Sequence, residues 1–145
     1  MNQVLKISEA ASLALHTMML LAENSDKLVS TKDIASTLKV SEAHLSKVLQ
    51  RLTKVGMVSA IRGPKGGFRL GRSTGEITLL DIYESIEGPM GEHDCLFTTP
   101  VCTGENCILG DLLSSVNTKV RKYFNETHLS DLNGVKKFEY VRAGK

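Results

Sequence analysis

The chain has 145 residues, of which 41% are hydrophobic and 23% charged, and its formal net charge is +2. These values are typical of an ordinary globular protein, and the length fits one domain with room for an appended element. A chain of this length buries a core of its own, so cysteine cross-links are not needed to hold a very small fold together. No apolar run approaches the ~20 residues that a membrane span requires.

The opening segment, as far as Asn24, predicts an amphipathic helix with Ser8 as its N-cap. Its apolar residues lie on a stretch without Gly or Pro: Leu5, Leu13, Leu15, Met18, Met19, Leu20 and Leu21. It differs from a secretory signal peptide because it lacks a strongly basic leader and because Glu9 and His16 interrupt the apolar stretch. We therefore expect a cytoplasmic protein.

Two short helices joined by a tight connection are predicted next, in the layout of a helix-turn-helix. Ser30 or Thr31 would cap the first helix, and Ser41 would cap the second, which Gly56 would end. Two short strands follow, with Val58 and Ile61 on the first, Phe68 and Leu70 on the second, and Gly-Pro-Lys-Gly-Gly between them. A hairpin in this position is a wing. The predicted fold is therefore mainly α with a small β wing.

The remaining chain predicts a fourth helix, an irregular loop and a long fifth helix. Thr78 would cap the fourth helix, which would stop at Gly88, and residues 91–106 would form the loop. Apolar residues recur every three or four positions from Ile108 to Phe124. This stripe would be buried against a second copy of the chain, or against its own domain; we favour a homodimer. The predicted division is a winged helix-turn-helix DNA-binding domain (1–88), a cysteine loop (89–107), and a dimerisation helix with a C-terminal tail (108–145).

Charge is distributed unevenly along the chain. Residues 32–72 contain nine basic and two acidic residues, a net charge of +7, whereas residues 76–111 contain eight acidic residues and no Lys or Arg. Such a basic half favours a polyanionic partner such as double-stranded DNA, although two solvated faces of opposite sign would give the same pattern.

The second helix of the helix-turn-helix is the expected recognition helix. Its first turns offer residues that reach base edges in the major groove: Glu42, Ala43, His44, Ser46 and Lys47. Ser41 suits a phosphate oxygen in addition to its capping role. Lys47, Arg51 and Lys54 form one basic stripe for phosphate contact, and the wing tip adds Arg62, Lys65 and Arg69.

All three cysteines, Cys95, Cys102 and Cys107, lie within thirteen residues. An odd number of cysteines in a reducing compartment argues against a disulfide framework and for a metal or redox role. Three thiolates favour zinc or an iron–sulfur cluster, and spacings of six and four lack the tight pair that is common in structural zinc sites. A reduced loop without metal is the remaining alternative.

The sequence resembles the winged-helix iron–sulfur regulators of the IscR and NsrR type. The likeness rests on the Leu5-x-x-Ser8 opening, on Val40-Ser41-x-x-x-Leu45, on Arg62-Gly-x-x-Gly-Gly in the wing, and on three cysteines before a long helix. It extends from Leu5 to about Leu132. It implies DNA contacts by Arg62, Ser41 and Ser46, and an iron–sulfur cluster, of two or four irons, held by Cys95, Cys102 and Cys107.

The resemblance leaves the fourth ligand open. Some relatives place a histidine where this chain has Gly110, others a carboxylate where it has Ser12, and others use the position of His16. The candidates are His16 of the partner subunit, His93, and nearby carboxylates: Glu9, Glu92, Asp94 and Glu105.

The predicted function is that of a DNA-binding transcriptional regulator, by default a repressor, whose operator affinity depends on the cluster. A metal-free or zinc-binding regulator and a cluster carrier that does not bind DNA remain as alternatives. An enzyme is disfavoured, because the sequence has no C-x-x-C motif, nucleotide-binding loop or Ser/His/Asp arrangement.

Overall fold

The computed structural model describes residues 5–91, 95–132 and 138. The elements follow in the order α1 (Glu9–Glu23), α2 (Thr31–Leu38), α3 (Glu42–Lys54), β1 (Val58–Ile61), β2 (Gly67–Leu70), a 3-10 turn (Thr74–Glu76), α4 (Leu79–Glu87), α5 (Leu112–Glu126) and a second 3-10 turn (Leu129–Leu132). The prediction of a mainly α fold with a small β wing is confirmed. Among the described residues, no helix combines the length and the apolar character needed to cross a membrane.

Local capping signals set the bounds of the helix-turn-helix. Ser30 rather than Thr31 caps α2, since its side chain accepts the Asp33 N–H at 3.1 Å. Lys39 takes the left-handed conformation (φ 57°) and thereby makes the tight connection. Ser41 then caps α3 by accepting the His44 N–H at 3.1 Å. The chain turns at Gly56, whose φ of 82° is readily adopted by glycine.

The wing is an antiparallel hairpin in which Val58 pairs with Leu70. A third backbone segment joins it, because Phe68 donates its N–H to the Val29 carbonyl at 2.8 Å and accepts the Val29 N–H at 2.9 Å. The backbones approach so closely that a Cβ on Gly67 would lie 2.9 Å from the Val29 oxygen. The wing is therefore fastened to the segment that leads into α2.

One hydrophobic cluster joins α1, α2, α3, α4 and Leu129. Thr78 starts α4 with a capping box, in which its hydroxyl accepts the Asp81 N–H and the Asp81 carboxylate accepts the Thr78 N–H. The helix ends at Gly88, as predicted.

The fifth helix begins later than its apolar pattern predicts. Ile108 and Leu109 lie outside it, because Gly110 (φ 57°) closes a turn with the Cys107 carbonyl at 2.9 Å, and α5 starts at Leu112. One face packs back on α4, where the rings of Phe124 and Tyr83 meet edge to face at 5.8 Å. The division into residues 1–88, 89–107 and 108–145 stays a prediction.

Replacing Leu129 by Ala should lower the free energy of unfolding of the whole winged domain by about 2–5 kcal/mol, because this side chain is fully buried in the common core. Leu96→Ala serves as the control, since Leu96 is 67% exposed and its truncation should cost less than about 1 kcal/mol. Urea unfolding followed by circular dichroism measures both. An equal loss of unfolding free energy in the two variants would place Leu129 outside the core.

Candidate nucleic-acid interface and cysteine loop

Helix α3 is divided into a buried and an exposed side. Its apolar residues lie in the core: Leu45, Val48, Leu49 and Leu52. The predicted DNA-contacting residues lie opposite, with Ser46 half-buried and the others exposed: Ser41, His44, Lys47 and Arg51. Glu42, Ala43 and Lys54 are exposed as well. The structure therefore gathers these residues on one accessible helix face.

The Ser41 hydroxyl can form a second hydrogen bond in addition to the one that caps α3. Its oxygen accepts the His44 N–H, which leaves the hydroxyl hydrogen free to donate to another acceptor. Capping and phosphate contact are therefore compatible at this side chain.

The wing tip presents Arg62, Lys65 and Arg69 to solvent. The Gly66 N–H closes the turn on the Gly63 carbonyl at 2.9 Å, and a Cβ on Gly66 would lie 2.0 Å from the Ile61 oxygen. Only glycine fits there, so the tip stays narrow.

The basic side chains of α3 and of the wing tip carry no salt bridge to any residue that the structure describes. Arg72 differs, because its guanidinium donates to the Val55 carbonyl at 2.8 Å and so holds the end of α3 against the wing. Sequence reasoning counted Arg72 with the other basic residues, and no sequence signal distinguished it.

The part of the predicted loop that carries the thiols, residues 95–107, has no helix or strand. We call this part the cysteine loop from here on. All three thiols are free; Cys102 is exposed and the other two are half-buried. Gly104 and Asn106 have positive φ, and the loop exposes three large apolar side chains: Leu96, Phe97 and Val101.

The donor set of the loop, three free thiols, suits a soft metal centre. The loop as folded here does not draw these donors together: within the described ranges, no three His, Cys, Asp or Glu side chains form a group that could hold a metal ion. Glu105 is exposed in the loop, whereas Glu92, His93 and Asp94 lie outside the described residues.

His16 lies on the exposed side of α1, and its Nδ1 is 2.6 Å from the Ser12 carbonyl oxygen. A carbonyl only accepts hydrogen bonds, so Nδ1 carries a proton, and in the neutral imidazole Nε2 then keeps a free lone pair. The imidazole meets the ring of Phe138 edge to face, with centroids 6.4 Å apart. His16 also lines a groove of about 610 Å³ together with Glu9, Ser41 and His44. Sequence reasoning missed this proximity of His16 to the start of α3.

The outer face of α5 is apolar and exposed. Leu112, Val116 and Tyr123 retain 56%, 41% and 57% of their accessible surface, and their spacing places them on one side of the helix. Phe124 is buried on the side that faces α4.

A helix-turn-helix, a glycine-tipped wing and a basic face without salt bridges to described residues define a winged-helix DNA-binding protein. A family model, Rrf2, described as an iron-dependent transcriptional regulator, matches residues 7–134. The chain belongs to the Rrf2 family and is a DNA-binding transcriptional regulator of that family.

One relative and two solved structures illustrate the likeness. The HTH-type transcriptional regulator NsrR of Bacillus licheniformis is 30% identical over 142 residues, which cover 88% of this chain and 99% of that protein. The structure of CymR, the global cysteine regulator of B. subtilis, is similar with a TM-score of 0.74 and 32% identity, covering 89% of this chain and 96% of CymR. T. potens IscR shares the fold at 21% identity, with a TM-score of 0.69 over 92% of this chain and 95% of that one.

Proposed function

We propose that this regulator binds operator DNA as a homodimer and that an iron–sulfur cluster held by Cys95, Cys102 and Cys107 sets its affinity for DNA. The observation that carries the proposal is the combination of an accessible basic winged head with three free thiols, in a loop directly before an exposed apolar helix face. Repression by occlusion of the promoter is the proposed outcome.

On DNA, α3 would enter the major groove and the wing an adjacent minor groove. His44, Ser46 and Lys47 would face base edges, while Ser41 and Arg51 would contact phosphates. Arg62, Lys65 and Arg69 would follow the wing along the duplex. The support is that these side chains are exposed, or half-exposed in the case of Ser46, on one continuous run of elements.

Replacing Arg62 by Ala should weaken binding to the specific operator by about 1–3 kcal/mol if its guanidinium reads a base edge. The control is Lys27→Ala, since Lys27 is an exposed cation on the connector between α1 and α2. Fluorescence anisotropy with operator and scrambled duplexes, each at several salt concentrations, separates base reading from phosphate contact. An operator affinity equal to that of the parent would remove the wing from the proposed interface.

When bound, the cluster would supply a centre that reacts with oxidants or nitric oxide. The three thiolates would hold it, and His16 of the partner subunit is the proposed fourth ligand, because Nδ1 donates to the Ser12 carbonyl and Nε2 of the neutral imidazole would offer its lone pair. Exposed and half-buried thiols in an irregular loop are accessible to an incoming cluster.

Protein purified without oxygen should be brown, and Cys102→Ala should lose that colour and its iron. Thr103→Ala, a neighbouring exposed position that offers no thiol, should keep both. Absorption spectra with iron, sulfide and zinc analysis provide the measurement. A colourless parent protein with one bound zinc would replace the cluster by a structural metal.

A second candidate is a regulator that responds to cysteine metabolism without a metal. The likeness to CymR, called a global cysteine regulator, at 32% identity favours it. A colourless, metal-free parent protein that still binds its operator would support this candidate.

The proposed dimer would bury the outer face of α5 against the same face of a second copy. Val116→Glu should weaken self-association on the order of a hundredfold, because a carboxylate would be buried without a partner. Thr118→Glu is the matched control, as Thr118 is exposed on the opposite side of α5. Sedimentation equilibrium measures both. Unaltered association of the Val116 variant would exclude this face as the interface.

A further inference from the structure

Met90 lies on the short stem between α4 and the cysteine loop, and charged side chains hold both of its polar backbone groups. Its N–H donates to Glu84 Oε2 at 2.6 Å, and its carbonyl accepts from the Arg121 guanidinium. Glu84 belongs to α4 and Arg121 to α5, so one residue is fastened to two helices. Hydrogen bonds with an ionised partner are stronger than neutral ones.

The stem has little backbone slack. The Gly88 N–H bonds to the Glu84 carbonyl at 2.9 Å, Gly88 has a φ of 81°, and the ring of Pro89 fixes the next φ. Met90 is half-buried and lines a cavity of about 300 Å³ between the N-terminal segment and α5. A displacement of the end of this stem at Met90 would therefore act on the two side chains that hold Met90, because residues 88–90 have little conformational freedom to absorb it.

A packed route leads from this stem to the DNA-binding face. Ile82 and Ile86 of α4 share one core cluster with Leu45 and Leu49 of α3. The last turn of α4 is also tied to the start of α1, since the Ser8 hydroxyl donates to the Glu87 carboxylate. Close-packed side chains, which do not deform freely, therefore connect α4 to the recognition helix.

We propose that Glu84 and Arg121 form a clamp on the Met90 backbone that transmits the state of the cysteine loop to α3 and α5. As a route for cluster sensing, this rests on the function proposed above. Both are positioning residues: they hold the stem and contact neither DNA nor a cluster. Their effect on the fold is independent of any bound group.

The test uses the full-length chain with Arg121→Met, which removes the hydrogen-bond donor and keeps most of the aliphatic part of the side chain. Lys122→Met removes the same charge from the next residue, which is exposed. Arg121→Lys restores a donor, and Glu84→Ala removes the other contact. Hydrogen exchange in metal-free protein should accelerate on the order of tenfold at the Met90 amide in Arg121→Met and Glu84→Ala, with faster exchange in α3 as well. Lys122→Met and Arg121→Lys should match the parent.

The second measurement is the ratio of operator affinities of cluster-loaded and metal-free protein. Arg121→Met should bring this ratio close to one, whereas Lys122→Met should keep the parental value. A parental ratio in Arg121→Met, or α3 exchange unchanged from the parent, overturns the clamp. If the parent itself shows a ratio of one, cluster-dependent binding fails, while the exchange data still decide whether Met90 is coupled to α3.

Discussion

Burial of the apolar side of α3 is the constraint on which the rest of the structure depends. Leu45, Leu49 and Leu52 are at most 1% exposed, and each contributes about 1.5–3 kcal/mol relative to remaining in water. Side chains on an α-helix repeat every 3.6 residues, so a rotation by one residue would carry polar or basic side chains into the core. Hydrophobic packing therefore decides which side of α3 faces outward, before any contact with DNA.

The wing depends on backbone contacts more than on side chains. Phe68 exchanges two hydrogen bonds with Val29, and Gly66, Gly67 and Gly71 lie so close to neighbouring carbonyls that none tolerates a Cβ. The position of Arg62 follows from these contacts, since Arg62 lies directly after β1 and one residue before Gly63. Because glycine lacks a side chain, the tip is narrow and the long cationic side chain of Arg62 stays accessible. The close contacts of the glycines also restrict the backbone that carries it.

Much of the fold can be predicted from local sequence signals such as helix caps. Ser8, Ser41 and Thr78 cap their helices as expected, because the hydrogen bond of a cap joins residues three positions apart. The predicted start of α5 at Ile108 was wrong, because the apolar periodicity continues across the turn at Gly110 and gives no sign of the interruption.

Contacts between residues far apart in the chain have no recognisable pattern in the sequence. Examples are the contact of Val29 with Phe68 and that of Arg121 with Met90, 31 positions apart. For the site, sequence predicted donor types, whereas the spatial arrangement of the thiols depends on a loop without regular hydrogen bonding.

A ligand-responsive element needs a segment that a ligand can order and a rigid connection to the rest of the fold, and the cysteine loop and its stem have these two properties. Its described residues lack regular structure and expose Leu96, Phe97 and Val101, so little burial offsets the entropy of ordering, which is about 1–2 kcal/mol for each residue fixed. A ligand that orders such a loop must supply that free energy, and its differential binding to the two loop states is the only source of a conformational response. The response leaves the loop only where the chain is stiff. Met90 meets that condition, because Glu84 and Arg121 hold its backbone, and it follows directly on α4, which shares the hydrophobic core with α3.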